Sequence, residues 1–319
     1  MCGFVGYLGK EIDNKLFENM INTLNHRGPN SDGYWHDLDR KVHLAHKRLS
    51  ILDLSSKGSQ PMISSSGRYV IIYNGEIYNH LILRKKINNK SQNQIIWRGS
   101  SDTETLLESL EFFGLNSTLN EIEGMFSFAL IDKKNNTLHL VRDRIGEKPL
   151  YYTKQNNVFI FGSELKALIQ HPNFSKIINL SSVDSLMRYN FIKSPHTIYK
   201  DVFHVVPGSF ITVNLQNFSF EEEYYWSAKN YIKNDLNIDK NRDYNLEFES
   251  LLSKSVENQM ISDVPIGVFL SGGIDSSLIT TIMSNISNKT INSFTVGFED
   301  DQFDESREAR KIAQHLNTN

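Results

Sequence analysis

The feature that most limits how this chain can fold is its single cysteine, at position 2 of 319 residues. No disulfide can close within the chain and no multi-cysteine metal centre can form. Buried apolar surface therefore has to hold the structure together, and a chain of this length can bury a sizeable core shared between about two domains. Hydrophobic residues make up 39% and charged residues 22%, the balance of a soluble globular protein rather than a disordered or fibrous one. The formal net charge is -3, with Lys and Arg scattered along the chain. Nothing in that pattern points to a nucleic-acid or membrane partner, and small metabolites are the expected ligands. No apolar run approaches the roughly 18 to 20 residues that span a bilayer. The first residues also lack a basic flank followed by an apolar stretch, so a cytoplasmic protein is expected.

Residues 1–226 read as short strands and turns with a few helices. Residues 3–8 are an apolar run suited to a buried strand, and Leu16, Met20 and Leu24 recur along one face of a helix over 15–24. Residues 42–52 and 68–73 are β-type runs, the second closed by Asn74 and Gly75, a pair that signals a turn. Asp102 stands at an N-cap position ahead of Thr105, Leu106, Leu110 and Phe113, which predicts a helix over 103–113. Residues 126–131, 137–141 and 158–161 supply further strands, separated by polar turns. Strands with flanking helices imply a layered αβ domain. Residues 227–243, rich in Asn, Lys and Asp, are the expected linker. Beyond it, Phe248, Leu252, Val256 and Met260 mark an amphipathic helix, 265–270 a buried strand, 274–283 a helix, 291–298 a strand and 304–316 a helix. That alternation predicts parallel βαβ units in 244–319. Asn317 follows the last helix, where Asn tolerates the left-handed cap conformation.

A free thiol with a pKa of about 8.5 is only a few per cent thiolate at neutral pH and needs a base or a cationic neighbour. An α-amine, with a reference pKa of about 7.7 to 8.0, can be that base. Cys2 carries one on its own residue once Met1 is removed, which a small second residue permits. His26 and His46 are then expected to be structural, and the ten histidines show no defensible metal-ligand spacing with carboxylates.

Met-Cys-Gly alone is weak evidence; its company is not. Residues 2–6 (CGFVG), 26–29 (HRGP), 45–51 (AHKRLSI), 74–79 (NGEIYN), 101–104 (SDTE), 124–129 (GMFSFA), 142–152 (RDRIGEKPLYY) and 163–167 (SELKA) run in one order through the first domain. With them, residues 1–226 resemble a class II glutamine amidotransferase, and the whole chain resembles the glutamine-dependent asparagine synthetase family. In fold class the resemblance implies α/β and α+β: an N-terminal nucleophile αββα sandwich, then a partial parallel α/β domain of the adenine nucleotide α-hydrolase-like type. It implies a glutamine site at Arg48, Leu49, Ser50, Ile51, Leu52, Asn74, Gly75, Glu76 and Asp102. The chemistry is coherent. The planar fork of Arg48 suits the α-carboxylate, and Asp102 and Glu76 suit the α-ammonium. Asn74 and Gly75 suit an oxyanion hole, with a side-chain amide and a backbone N–H aimed at the oxygen that gains charge.

A second constellation, Ser271-Gly272-Gly273-Ile274-Asp275-Ser276-Ser277, connects a strand to a helix. Backbone N–H groups and the positive end of the helix form a site for phosphate oxygens, and Asp275 can bind Mg²⁺. No lysine follows the glycines, so this is not the kinase and GTPase loop. The SGGIDSS pattern resembles the pyrophosphate loop of ATP pyrophosphatases, which implies ATP as co-substrate, Mg²⁺ beside it and aspartate as acceptor. Within the resemblance Leu270, Ser271, Gly272, Gly273, Asp275, Ser276 and Val296 form the nucleotide site. The family's later Ser-Gly-Glu-Gly signature is absent, so a truncated chain with glutaminase but little synthetase activity is expected. An amidotransferase acting on a sugar acid would share every motif named. A non-catalytic glutamine or nucleotide sensor is the reading from another class; it would be expected to retain Met1. A homodimer is compatible with all three.

Overall fold

A computed structural model of the chain describes residues 1–11, 13–91, 95–232, 242–300, 302 and 304–319. Two compact units divide it, Met1–Ile232 and Lys233–Asn319. Most of the expected linker, residues 233–241, lies outside the described residues. Ala228–Tyr231 forms a short 3-10 turn, and Trp226 stacks on Tyr231 with ring centres 6.0 Å apart.

In the first unit the strands are β1 (Gly3–Leu8), β2 (Ser31–Asp37), β3 (Val42–Arg48), β4 (Met62–Ile63), β5 (Tyr69–Ile77), β6 (Gly124–Asp132), β7 (Thr137–Arg142), β8 (Tyr151–Gln155), β9 (Val158–Gly162), β10 (Val202–His204), β11 (Ser209–Asn214) and β12 (Phe220–Tyr224). The helices are α1 (Asn14–Asn22), α2 (His80–Lys90), α3 (Asp102–Phe113), α4 (Leu115–Glu121), α5 (Leu165–Leu168) and α6 (Leu180–Tyr189). Among the described residues, one six-stranded sheet runs β10-β8-β9-β1-β3-β2 and a second runs β12-β11-β7-β6-β5-β4. Alternate side chains of each strand feed two apolar layers. Phe4, Leu44 and Phe161 of one sheet meet Val70, Ile72 and Ile211 of the other in a shared core. On the outer faces, Val5, Tyr7 and Ala45 pack with Phe17, Met20 and Ile21 of α1. Ile71, Tyr73 and Phe128 pack with Leu106, Leu107 and Leu110 of α3. The result is the αββα order that the resemblance implied.

Three local expectations are corrected. Asn74 and Gly75 make no turn: both lie inside β5, opposite Ser127 and Phe126 of β6. A Cβ on Gly75 would stand 2.3 Å from the Met125 carbonyl oxygen, so close strand approach is what requires glycine there. The run 42–52 stays a strand only to Arg48, because the Arg48 guanidinium gathers the carbonyls of Leu52, Asp53 and Ser55 and folds the chain back. Ser101, not Asp102, caps α3, its hydroxyl accepting the Glu104 N–H at 3.2 Å. Asp102 is drawn into the helix because its carboxylate is taken up by β5, as described below.

The second unit contains α7 (Tyr244–Gln259), β13 (Gly267–Phe269), α8 (Ile274–Ile286), β14 (Asn292–Phe294) and α9 (Ser306–His315). β13 and β14 pair in parallel, the expected βαβ connection. Both strands are shorter than the runs 265–270 and 291–298, and the buried character expected of 265–270 holds only in part: Leu270 is buried and Ile266 and Val268 are partly packed, while Phe269 is 78% exposed. Successive side chains of a strand point to opposite faces, so one apolar cluster buries alternate residues only. Val268 joins Val256, Ile282, Met283 and Ile291 in the core, while Phe269 points the other way. Phe248 of α7 is likewise exposed, leaving Val256 as the buried anchor of that helix, with Leu252 and Met260 partly packed. Asn317 has φ 52°, the left-handed cap anticipated for it. Among the described residues, no helix is long and apolar enough to cross a membrane.

Candidate active site

Cys2 precedes β1, a central strand of the first sheet, and Asn74 and Gly75 lie toward the end of β5, which contacts β1 across the sandwich. The fold thus brings the two segments to one edge. There Cys2, Arg48, Leu49, Ile51, Leu52, Asn74, Gly75, Glu76 and Asp102 line a cavity of about 200 Å³ with Met1, Gly58, Gln60, Tyr73, Thr103, Met125 and Lys148. Of the residues expected for glutamine, Ser50 is outside this lining; its N–H turns to Asn30 Oδ1 at 3.0 Å.

The thiol is partly buried and held by one neighbour: the Leu49 N–H donates to Cys2 Sγ at 3.3 Å, and Sγ lies 3.5 Å from the Leu49 oxygen. Burial pushes the thiol pKa up; the Leu49 N–H, the Met1 ammonium and Arg48 pull it back, and Asp102 adds to the rise. A base beside the sulfur is thus needed more than in water. His46 is not that base. It is sealed in the core with Nε2 3.0 Å from the Tyr73 oxygen, and burial lowers its pKa to about 4. His26 is turned away to Glu164 at 3.0 Å.

Asn74 is 1% exposed, and its Nδ2 has no hydrogen-bond partner among the described residues. A buried amide donor left unsatisfied is costly, and this one stands in the wall that holds Cys2. Asp102 Oδ2 accepts from the Tyr73 hydroxyl at 2.7 Å and from the Ile77 N–H at 2.9 Å. Burial raises the Asp102 pKa, and burial followed by the nearby Asp102 raises that of Glu76. Arg48 is more committed than its sequence implied, since three loop carbonyls already take its N–H groups.

Residues 1–226 match the family model described as a glutamine amidotransferase domain. The chain belongs to this glutamine amidotransferase family. Residues 247–319 match a second model, asparagine synthase. Two relatives from Bacillus subtilis, glutamine-hydrolyzing asparagine synthetases 1 and 3, are 35% and 33% identical over 99% and 88% of this chain. The chain spans about half the length of these curated relatives, 49% and 45% respectively. Among solved structures, the glutamine phosphoribosylpyrophosphate amidotransferase of B. subtilis, complexed with ADP and GMP, aligns with a TM-score of 0.52 at 14% identity. It covers 99% of this chain and 64% of its own. At that identity the likeness concerns fold, and the first unit has the N-terminal nucleophile architecture.

In the second unit, the SGGIDSS loop is tied together by its own hydroxyls. Ser276 Oγ accepts the Ser271 N–H at 3.1 Å and meets Ser271 Oγ at 2.8 Å, while Ser277 Oγ donates to the Gly273 oxygen at 2.7 Å. Leu270, Ser271, Ser276 and Val296 line an open hollow of about 330 Å³; Gly272, Gly273 and Asp275 stand outside it. Asp275 is exposed in the first turn of α8. Among the described residues, no group of three or more His, Cys, Asp or Glu is arranged to hold a metal.

Sequence reasoning passed over Gln60, Tyr73 and Lys148 as parts of the first cavity. Only Lys148 had a signal, as a member of the RDRIGEKPLYY stretch. Gln60 and Tyr73 are joined by a bond from the Tyr73 N–H to Gln60 Oε1 at 2.6 Å, a contact that no local pattern announces.

Proposed function

We propose that residues 1–226 hydrolyse glutamine with Cys2 as nucleophile, and that the whole protein is a glutamine-hydrolysing asparagine synthetase. The observation that carries the first half is the unpartnered, buried Nδ2 of Asn74 beside Cys2. With Met1 removed, the α-amine of Cys2 takes the thiol proton, and the sulfur attacks the carboxamide carbon of glutamine. Asn74 Nδ2 and the Gly75 N–H receive the charge that develops on the carbonyl oxygen. The protonated α-amine gives its proton to the departing nitrogen, ammonia leaves, and water cleaves the remaining glutamyl thioester to glutamate. Arg48 with Leu49, Ser50, Ile51 and Leu52 receives the α-carboxylate, and Glu76 and Asp102 receive the α-ammonium. The test is glutamate and ammonia release by the processed protein against Cys2→Ala; equal rates, or retention of Met1 on intact mass, would sink it.

The second half rests on the match of residues 247–319 and on the names of the relatives. Residues 227–243 link the two catalytic parts. ATP would sit on Leu270, Ser271, Gly272, Gly273, Asp275, Ser276 and Val296, with its phosphates at the N-terminal end of α8. Aspartate's side-chain carboxylate displaces pyrophosphate from ATP, and ammonia then displaces AMP to give asparagine. One exposed carboxylate, Asp275, would hold Mg²⁺, which binds carboxylate and phosphate oxygens, and the ion would supply charge neutralisation for the phosphates. Pyrophosphate release with ATP and aspartate, compared with other carboxylates, tests the acceptor. The same reading takes the protein as cytoplasmic and as a homodimer, the latter measured by light scattering.

A further inference from the structure

Lys148 stands in the cavity wall with Cys2 and Glu76 and has no part in the steps above. It is 5% exposed, and its Nζ lies 3.3 Å from Met1 Sδ, the side chain bonded through one residue to the Cys2 nitrogen. The loop that carries it is built around a buried carboxylate. Asp143 accepts the backbone N–H groups of Phe126 at 3.3 Å, Ile145 at 3.2 Å, Gly146 at 2.6 Å, Glu147 at 2.9 Å and Lys148 at 2.9 Å. Arg142 closes the other side, donating to the carbonyls of Gly146 at 2.8 Å, Lys148 at 2.8 Å and Val205 at 2.9 Å. Both main-chain groups of Lys148 are therefore pinned. A buried ammonium costs free energy unless it is compensated, and so much fixed backbone behind it argues that its position matters.

We propose that Lys148 is a positioning residue of the glutaminase site, its fixed positive charge keeping the α-amine of Cys2 neutral and able to accept the thiol proton. This rests on the reading of that amine as the base. In the unprocessed chain the terminal amine is that of Met1, and the charges that act on it come from Cys2, Arg27 after α1, Lys148 in the loop after β7 and Glu76 on β5; burial lowers the Lys148 pKa, while Glu147, Glu76 and Asp143 raise it. Arg27 Nε also holds the Cys2 carbonyl at 2.8 Å. Burial is the largest cause of the lowered pKa of that Met1 amine; Cys2 opposes it, Arg27 and Lys148 add to it, and Glu76 opposes it again. The Cys2 amine that processing exposes is one residue further in, on a residue that shares the cavity wall with Lys148. Asp102 and Arg48 complete the charges around the thiol. The sign follows: taking the Lys148 charge away raises the amine's pKa, so more of it is ammonium at a given pH and the acid limb of the rate profile moves to higher pH.

The experiment uses the processed protein as wild type, Lys148→Met, Lys148→Gln and Lys148→Arg, with two readouts. NMR titration gives the pKa of the α-amine, and glutamine hydrolysis gives kcat/KM against pH. Met and Gln are expected to raise the amine's pKa by about one unit and to move the acid limb equally. Arg keeps both near wild type. An amine pKa unchanged by Met and Gln, or shifted as far by Arg as by Met, overturns the proposal. A shifted amine in a protein whose wild type does not hydrolyse glutamine leaves the electrostatic role standing and removes the glutaminase reading instead.

Discussion

Tyr73 donates its hydroxyl to Asp102 Oδ2 across 2.7 Å, and the Ile77 N–H donates to the same oxygen at 2.9 Å. Because both bonds end on one atom, an asparagine with its carbonyl oxygen in that place keeps both. Asp102→Asn should therefore fold, yet it exchanges a carboxylate in the cavity wall for a neutral amide. A charged hydrogen bond is worth roughly 1.5 to 3 kcal/mol, so KM for glutamine should rise by roughly 10- to 100-fold with little change in melting temperature. Steady-state kinetics and a thermal melt check it; an unchanged KM takes Asp102 out of ammonium recognition.

The same pair shows where the sequence was legible and where it was not. Ser101 and Asp102 are both good capping residues, and local pattern had no means to choose between them; the choice is made by Tyr73 and Ile77, which approach from β5. Asn-Gly is a turn dipeptide in isolation, but β6, about fifty residues away, extends β5 through it. Strand β12 (FEEEY) is exposed along its whole length and carries no apolar alternation by which to recognise it. Arg48 lines the cavity, while its grip on the loop was invisible in the sequence because it involves only backbone oxygens.

That grip makes Arg48→Lys a severe change. A lysine keeps the charge but has one nitrogen where the guanidinium spreads its N–H groups over Ser55, Leu52 and Asp53. The loss should amount to about 2 kcal/mol of stability, with faster amide exchange over residues 49–55 and a raised KM for glutamine. Exchange rates outside that loop should stay at wild-type values; a uniform increase instead would mean that Arg48 supports the whole sandwich.

Asn74→Ala should separate chemistry from stability. Its Nδ2 has no partner among the described residues, so truncation removes an unsatisfied donor and the melting temperature should hold. If the amide receives charge from the reacting carbonyl, kcat should fall by roughly 10² to 10³, while KM stays within about threefold for lack of a ground-state contact. A raised KM with unchanged kcat would assign Asn74 to substrate binding.

Acid should weaken the fold before carboxylates are titrated, and histidines are the reason. Burial is the main cause that lowers the pKa of His43, His46, His139, His171 and His204 to about 4 in each case. Unfolded, each takes its proton near pH 6.5. Between pH 6.5 and 4 the unfolded chain therefore binds more protons, and stability falls as pH drops. Asp102, Glu76 and Glu147 act oppositely, since their raised pKa values favour protonation in the folded state, but the lowered carboxylates Asp53, Asp132 and Glu164 act with the five histidines and together outweigh those three. Melting temperatures at pH 7, 6 and 5 should fall in that order. His43→Phe gives the sharper check. Its ring can keep the stack on Tyr7, 4.3 Å away and tilted by 6°, so the drop in melting temperature from pH 7 to pH 5 should shrink whatever the absolute value. An undiminished drop would assign the acid sensitivity to groups other than this histidine.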